Sequence, residues 1–228
     1  MATPPAVYIV CSDRHRNGKT LLARVLVDYL MFDGHDPFVI DAGFPDGPLR
    51  NYFPGRTVLV DFETIPGQMK LFDTILGSPG RDYVIDLPSA QTENFFKASG
   101  ELEFIGEARR HGFKIVVLFV VDQALESLKT ARILEARVQP DLMVLVRNNF
   151  VGSALVDTGR GIVIDMPSLD PGIALIAGAR RFSFRGFLLE DEQGLAGSQA
   201  ARLKTFLYKI MTGLRNIGPA TTLKALGN

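Results

Sequence analysis

Val7-Tyr8-Ile9-Val10-Cys11-Ser12-Asp13-Arg14-His15-Arg16-Asn17-Gly18-Lys19-Thr20-Leu21-Leu22 is the stretch on which the fold turns. It passes from an apolar run, through small and polar residues, directly into a pattern with Leu21, Leu22, Val25, Leu26, Tyr29 and Leu30 on one helical face. A strand, a tight turn and a helix are therefore predicted at once. Outward from it, short Val/Ile-rich runs recur at Phe38 to Ile40, Val58 to Val60, Tyr83 to Ile85, Ile115 to Val121, Leu142 to Val146 and Ile162 to Ile164. They are continuous rather than alternating, which marks strands buried on both faces. Helices are expected at Lys19 to Phe32, Gln68 to Leu76, Thr92 to His111 with a possible break at Gly100, Ala124 to Ala136, Asp170 to Ala177 and Ser198 to Asn216. The alternation predicts an α/β fold: a doubly wound, mostly parallel sheet with helices on both faces. Asp41 to Pro54, Gly77 to Gly80 and Asn216 to Pro219 read as loops and turns.

Composition bounds the rest. The 228 residues are 46% hydrophobic and 22% charged, which suits one domain over 1–228 and excludes disorder and fibrous repeats. A final amphipathic helix within 195–217 is expected to pack on that domain. Basic and acidic residues stand at 25 each, so any attraction to nucleic acid or membrane must be local. Cys11 is the single cysteine, and the N-terminus lacks the pattern of a secretory signal, so a cytoplasmic protein is expected. The longest apolar run, Ile115 to Val121, is roughly a third of a membrane span.

The turn before the first helix has the parts of a phosphate cradle. Such a loop needs backbone N–H groups converging at a helix N-terminus, a Lys for the outer phosphates and a Ser/Thr hydroxyl for Mg²⁺. Arg16, Asn17, Gly18, Lys19, Thr20 and Leu21 stand where that chemistry wants them, although Asp13 occupies the position of the usual first glycine. The bare Gly-Lys-Thr tripeptide equally fits a capping turn in which Thr20 or Asn17 satisfies helix N–H groups and Lys19 is solvated.

The segment resembles the deviant phosphate loop of the ParA/MinD family of P-loop ATPases, K-G-G-x-G-K-[ST]. Aligned on Gly18-Lys19-Thr20, the family's signature lysine falls on Arg14, and His15 and Arg16 replace two glycines. Gly34 to Asp41 is similar to the family's second strand, and Arg81-Asp82-Tyr83-Val84-Ile85-Asp86-Leu87-Pro88-Ser89 closely resembles its D-Y-V-I-I-D-x-P-[PS] segment. Ile115 to Asp122 and Leu142 to Asn149 repeat its later order of strands, and the likeness runs from about Val7 to Ala177. The resemblance implies a P-loop NTPase that binds ATP or ADP with Mg²⁺. Gly18 and Lys19 would hold phosphate, Thr20 the metal, and Asp86 would support the metal. Asp41 would orient the attacking water and stand with Thr20 and Asp86 at the metal, Arg14 would reach a partner's nucleotide, and Asn148 would meet the adenine edge. It further implies a slow ATPase whose nucleotide-dependent homodimer positions cargo such as plasmids, chromosome regions or division sites through a protein partner.

Each residue also has a plainer reading. Asp86 and Asp41 suit turn or capping roles, Arg14 a solvated loop residue, and Asn148 with Asn149 a turn. Asp61 is read as the start of a connection into the next helix, and Cys11 as a small buried hydrophobe. His15, His35 and His111 have no metal-ligand spacing. Leu203, Phe206, Leu207, Ile210, Leu214 and Ile217 make one face of the last helix; Arg202, Lys204, Lys209 and Arg215 lie mostly elsewhere. After Glu192 there is no acidic residue, so this helix either docks on the core with a solvated basic face or meets DNA phosphate or an anionic membrane. Pro219 and Thr221-Thr222 argue against a terminal membrane helix. Two other functions share the scaffold: a small-molecule kinase or ligase similar to dethiobiotin synthetase, and a nucleotide-binding interaction protein that has lost hydrolysis.

Overall fold

Along the first strand, Tyr8 and Val10 pack into one apolar layer while Val7, Ile9 and Cys11 pack into another. The same division holds on Ile115 to Val121, where Val116, Leu118 and Val120 face one layer and the odd-numbered residues the other. Period-two geometry sends successive side chains to opposite faces, so a strand apolar throughout must be covered twice. The computed structural model describes residues 4–152, 161–190 and 195–217. Its strands are β1 (Ala6–Cys11), β2 (Phe38–Asp41), β3 (Thr57–Leu59), β4 (Tyr83–Asp86), β5 (Lys114–Val121), β6 (Leu142–Asn148) and β7 (Ile162–Met166). They form one sheet in the order β3-β2-β4-β1-β5-β6-β7, and every pairing is parallel. All seven apolar runs are strands.

One face carries α1 (Lys19–Phe32), α6 (Pro171–Ala179), α7 (Phe184–Glu190) and α8 (Gly197–Leu214); the other carries α2 (Ile65–Leu76), α3 (Ser89–Glu101), α4 (Phe104–Arg110) and α5 (Leu125–Val138). Helix α1 has the bounds its periodicity predicts. The helix expected over Thr92 to His111 is two helices, and the break lies at Leu102 and Glu103 rather than at Gly100. Glu103 adopts a left-handed conformation at φ 51° and donates its N–H to Gly100 O at 3.2 Å. Helix α2 begins three residues before the expected Gln68, because Thr64 caps it by accepting Gly67 N–H at 3.1 Å. Helix α7 was not expected from sequence. Asp28 of α1 holds its start, accepting from Ser183 Oγ at 2.5 Å and Phe184 N at 2.9 Å. Within the loop expected after Asp41, Pro48–Asn51 forms a 3₁₀ turn. Buried Arg24 lies between the rings of Tyr52 and Phe184, 3.8 and 3.7 Å from their centroids, and joins that turn to α1 and α7.

The apolar side of α8 is core: Leu203, Phe206, Leu207, Ile210, Leu214 and Ile217 are all buried. Among the described residues no helix is long and apolar enough to cross a membrane. Pro219, Thr221 and Thr222 lie outside the described residues. The chain enters the sheet at its centre with β1, builds outward to β3, returns to β4 beside β1, and then builds the other way through β5. The reversal places the loop after β1 between the carboxyl ends of β4 and β5, the position at which open α/β sheets form a crevice.

Candidate functional site at the end of the first strand

The loop from Ser12 to Gly18 is folded around its own polar groups. Ser12 is buried, and its hydroxyl accepts from Arg14 N–H at 3.0 Å and from the Asn17 amide. The same Asn17 amide donates to Val120 O on β5 at 3.1 Å. Lys19 turns back into the loop, its ammonium donating to Arg14 O at 2.7 Å and Asn17 Oδ1 at 3.2 Å. Burial holds the Lys19 pKa below its usual range, and nearby Asp86 works against that shift. Gly18 is the N-cap of α1 at φ 91°, and a Cβ there would lie 2.7 Å from Asn148 Nδ2 and 2.6 Å from Met166 Cε. Glycine is required both by the backbone angle and by the close approach. No side chain caps α1, and its first turn has no acidic residue. The capping-turn reading therefore does not describe this helix: Asn17 serves Ser12 and Val120, and the Thr20 hydroxyl goes elsewhere. Among the described residues no partner satisfies the first N–H groups of α1, which stand beside a buried cation, an arrangement suited to an anion.

Thr20 Oγ1 donates to Asp86 Oδ2 at 2.7 Å, joining the first turn of α1 to the end of β4. Burial raises the Asp86 pKa to about 7; Asp41 raises it too, while the Thr20 hydrogen bond and Lys19 pull it down. Asp41 and Asp86 are register partners on β2 and β4. Both Asp41 oxygens are engaged by its own loop, Oδ1 with Gly43 N–H and Oδ2 with Leu49 N–H, each at 2.9 Å. Its pKa is also raised by burial, and these two hydrogen bonds oppose the shift. A hydroxyl and a carboxylate are hard oxygen donors of the kind Mg²⁺ takes together with phosphate oxygens. No cluster of three or more His, Cys, Asp or Glu able to hold a metal by themselves occurs among the described residues. The donors at Thr20 and Asp86 thus fit a cation that arrives with phosphate.

The remaining expected residues divide. Leu21 lies beside Thr20 on a cavity of about 190 Å³ that Arg24, Tyr52 and Leu169 also line. Arg16 is exposed at φ 55°. Arg14 pairs within its own chain, with Asp13 at 3.5 Å and Asp122 at 3.3 Å, and Asp13 also accepts from Ser127 Oγ at 2.7 Å. Asn148 is buried with both ends of its amide occupied: Nδ2 donates to Asn17 O at 2.7 Å and Oδ1 accepts Phe150 N–H at 3.0 Å. Asn149 donates its N–H to Met166 O at 2.9 Å. Asp61 accepts Glu63 N–H at 3.2 Å in the approach to α2, as a connecting residue does. Cys11 is buried, which pushes its thiol pKa well up and leaves it inert. Sequence reasoning assigned no role to Ser12 or Thr92, and quoted Ser89 only as part of the segment that ends β4. Ser89 Oγ lies 2.9 Å from His15 Nδ1, and Thr92 Oγ1 donates to Ser12 O at 2.9 Å, so α3 is tied to the loop at two points. Nothing in a serine or threonine at a helix start announces a partner 74 or 80 residues away.

A chain of the MinC:MinD cell division protein complex of Aquifex aeolicus superposes on this one with a TM-score of 0.57, over 98% of this chain and 100% of that one, at 15% identity. The two chains share one fold. A nucleotide-binding protein from Archaeoglobus fulgidus in complex with ADP is similar at 14% identity over 82% of this chain and 89% of its own, with a TM-score of 0.48. A plasmid partition protein from Borrelia burgdorferi is similar at 11% identity over 92% and 99%, with a TM-score of 0.43. No family model and no curated protein matches the chain. At these identities the likeness is one of fold, and the chemistry rests on the residues just described.

Proposed function

We propose that this ParA/MinD-type chain binds ATP and ADP with Mg²⁺ at the Ser12–Thr20 loop, hydrolyses ATP slowly, and uses nucleotide-dependent dimerisation to position a cargo. The observation that carries the reading is the buried Lys19 ammonium, 2.7 Å from Arg14 O, at the head of a helix with no side-chain cap. Phosphate oxygens would replace Arg14 O and Asn17 Oδ1 as its partners and take up the free N–H groups of Gly18, Lys19, Thr20 and Leu21. Mg²⁺ held by Thr20, with Asp86 behind it, would neutralise charge on the phosphates. Asp41 uses two lone pairs on its own loop and keeps others with which to orient water. Exposed Phe44, Leu125 and Phe150 follow β2, β5 and β6 at the same edge of the sheet, an apolar rim suited to a second copy of the chain. Arg14 is itself exposed, and its contacts with the partly buried Asp13 and Asp122, at 3.5 and 3.3 Å, are long, which would leave it able to reach that copy. Light scattering with and without Mg-ATP, alongside phosphate release, tests this reading: a dimer formed with ATP and lost with ADP, with slow release, is expected. A monomer in both nucleotides contradicts the switch. The occupied Asp41 oxygens favour one second reading, an interaction protein that binds nucleotide without turnover, which the absence of phosphate release would select.

Two predictions arise here. Asn148→Ala is expected to weaken ATP and GTP alike, by about tenfold, because the residue braces Asn17 O. Calorimetry with both nucleotides checks this, and a loss confined to ATP would restore the adenine-edge role. The second concerns pH. With the folded Asp86 pKa near 7 and the unfolded value near 4, the nucleotide-free fold binds the extra proton. That stability is full below about pH 4 and is lost as pH rises through 7. A bound cation favours the ionised carboxylate, so Mg-ATP affinity should rise with pH between 6 and 8, by up to about tenfold per unit. Titrations at pH 6, 7 and 8 on wild type and Asp86→Asn check it: the slope should disappear in the variant.

A further inference from the structure

We propose that His15 is a ligand for the terminal phosphate and gives the site its preference for a nucleoside triphosphate over a diphosphate; this rests on the nucleotide-binding reading above. The carbonyl that receives the Lys19 ammonium at 2.7 Å belongs to the Arg14–His15 peptide, so His15 leaves the backbone beside the buried cation. Its ring ends at Ser89, with Nδ1 and Oγ 2.9 Å apart, and Ser89 opens α3 only three residues after Asp86. The imidazole therefore spans from the lysine side of the loop to the strand end that carries the metal-side carboxylate. A phosphate chain entering over α1 would bring its far end between those two. Thr92 fixes the distance spanned, donating to Ser12 O at 2.9 Å and so holding the base of the loop to α3. In the tautomer in which the Ser89 hydroxyl donates to Nδ1, the proton sits on Nε2, which has no partner among the described residues and would be free to donate to a phosphoryl oxygen. A diphosphate is one phosphoryl group shorter and gains less from this donor. His15 stands where the phosphate-loop pattern has glycine, so the side chain is an addition that adjusts the site to the length of the phosphate chain.

Calorimetric titration of the full chain with Mg²⁺ and either ADP or the non-hydrolysable ATP analogue AMP-PNP tests the assignment. In His15→Ala the ratio of AMP-PNP to ADP affinity should fall about tenfold or more, the effect of one lost hydrogen bond to a charged group. His15→Gln, whose amide keeps a donor at similar reach, should hold at least half of the wild-type ratio. His15 is exposed, so both variants should fold, and circular dichroism confirms that they have. An unchanged ratio in His15→Ala, tighter AMP-PNP binding in that variant, or a ratio in His15→Gln as low as in the alanine variant overturns the assignment while leaving nucleotide binding intact. A wild-type chain that binds neither nucleotide overturns both.

Discussion

Lys19→Ala is expected to weaken Mg-ATP binding by about a hundredfold or more while leaving the melting temperature nearly unchanged. The two halves of this prediction have one cause. In the nucleotide-free chain the ammonium is buried and, among the described residues, is satisfied by Arg14 O and Asn17 Oδ1 alone, and burial works against its charge. Removing it gives up two hydrogen bonds but also removes a desolvated cation, and the difference should fall within about 1 kcal/mol. With phosphate present the same group makes charge-assisted contacts worth about 3 kcal/mol together, a hundredfold in affinity. Calorimetry and a thermal melt on one preparation measure both. A variant that binds as wild type does would return Lys19 to a packing role.

Gly18→Ala is expected to damage both stability and binding. A residue other than glycine at φ 91° costs about 1–2 kcal/mol, and the new methyl must also displace Asn148 Nδ2 and Met166 Cε. Met166 can swing its terminal carbon aside, whereas Asn148 is fixed by its bonds to Asn17 O and Phe150 N–H. The loop should therefore yield, lowering the melting temperature by about 4–8 °C for a loss near 2 kcal/mol. Affinity should fall about thirtyfold, since the same strain misplaces the N–H groups at the head of α1. A melting point within a degree of wild type would show that the loop relaxes without consequence.

Much of the fold was legible because its strands are buried twice. A run such as Ile115 to Val121 divides between two apolar layers, and that demand is written directly into the sequence. Helix α1 was legible to the residue, since its periodicity begins where the loop ends. The break at Glu103 was not, because a left-handed glutamate has no compositional mark, whereas Gly100 has the composition of a helix breaker yet stays helical. Helix α7 was hidden for another reason: its start is held by Asp28, 155 residues away for Ser183.

The site shows the same division. Gly18, Lys19, Thr20 and Asp86 were readable from local pattern and strand ends, and the fold brings them together. The work done by Asn148 was not readable. Its amide meets the carbonyl of Asn17 across 131 residues, and only the sheet order places β6 against the loop. Asp41 marked a strand end correctly, but the hydrogen bonds that occupy it come from the turn at Gly43 and Leu49, whose path no motif describes. Residues that act through local backbone geometry were visible, and those that brace one segment against another needed the three-dimensional arrangement.

If the loop between β1 and α1 is a phosphate cradle, calorimetric titration of ATP with Mg²⁺ into the wild-type chain will read it out. Saturable binding of one nucleotide per chain, lost in Lys19→Ala, is the predicted result. No binding at millimolar ATP by a folded wild-type chain would contradict it.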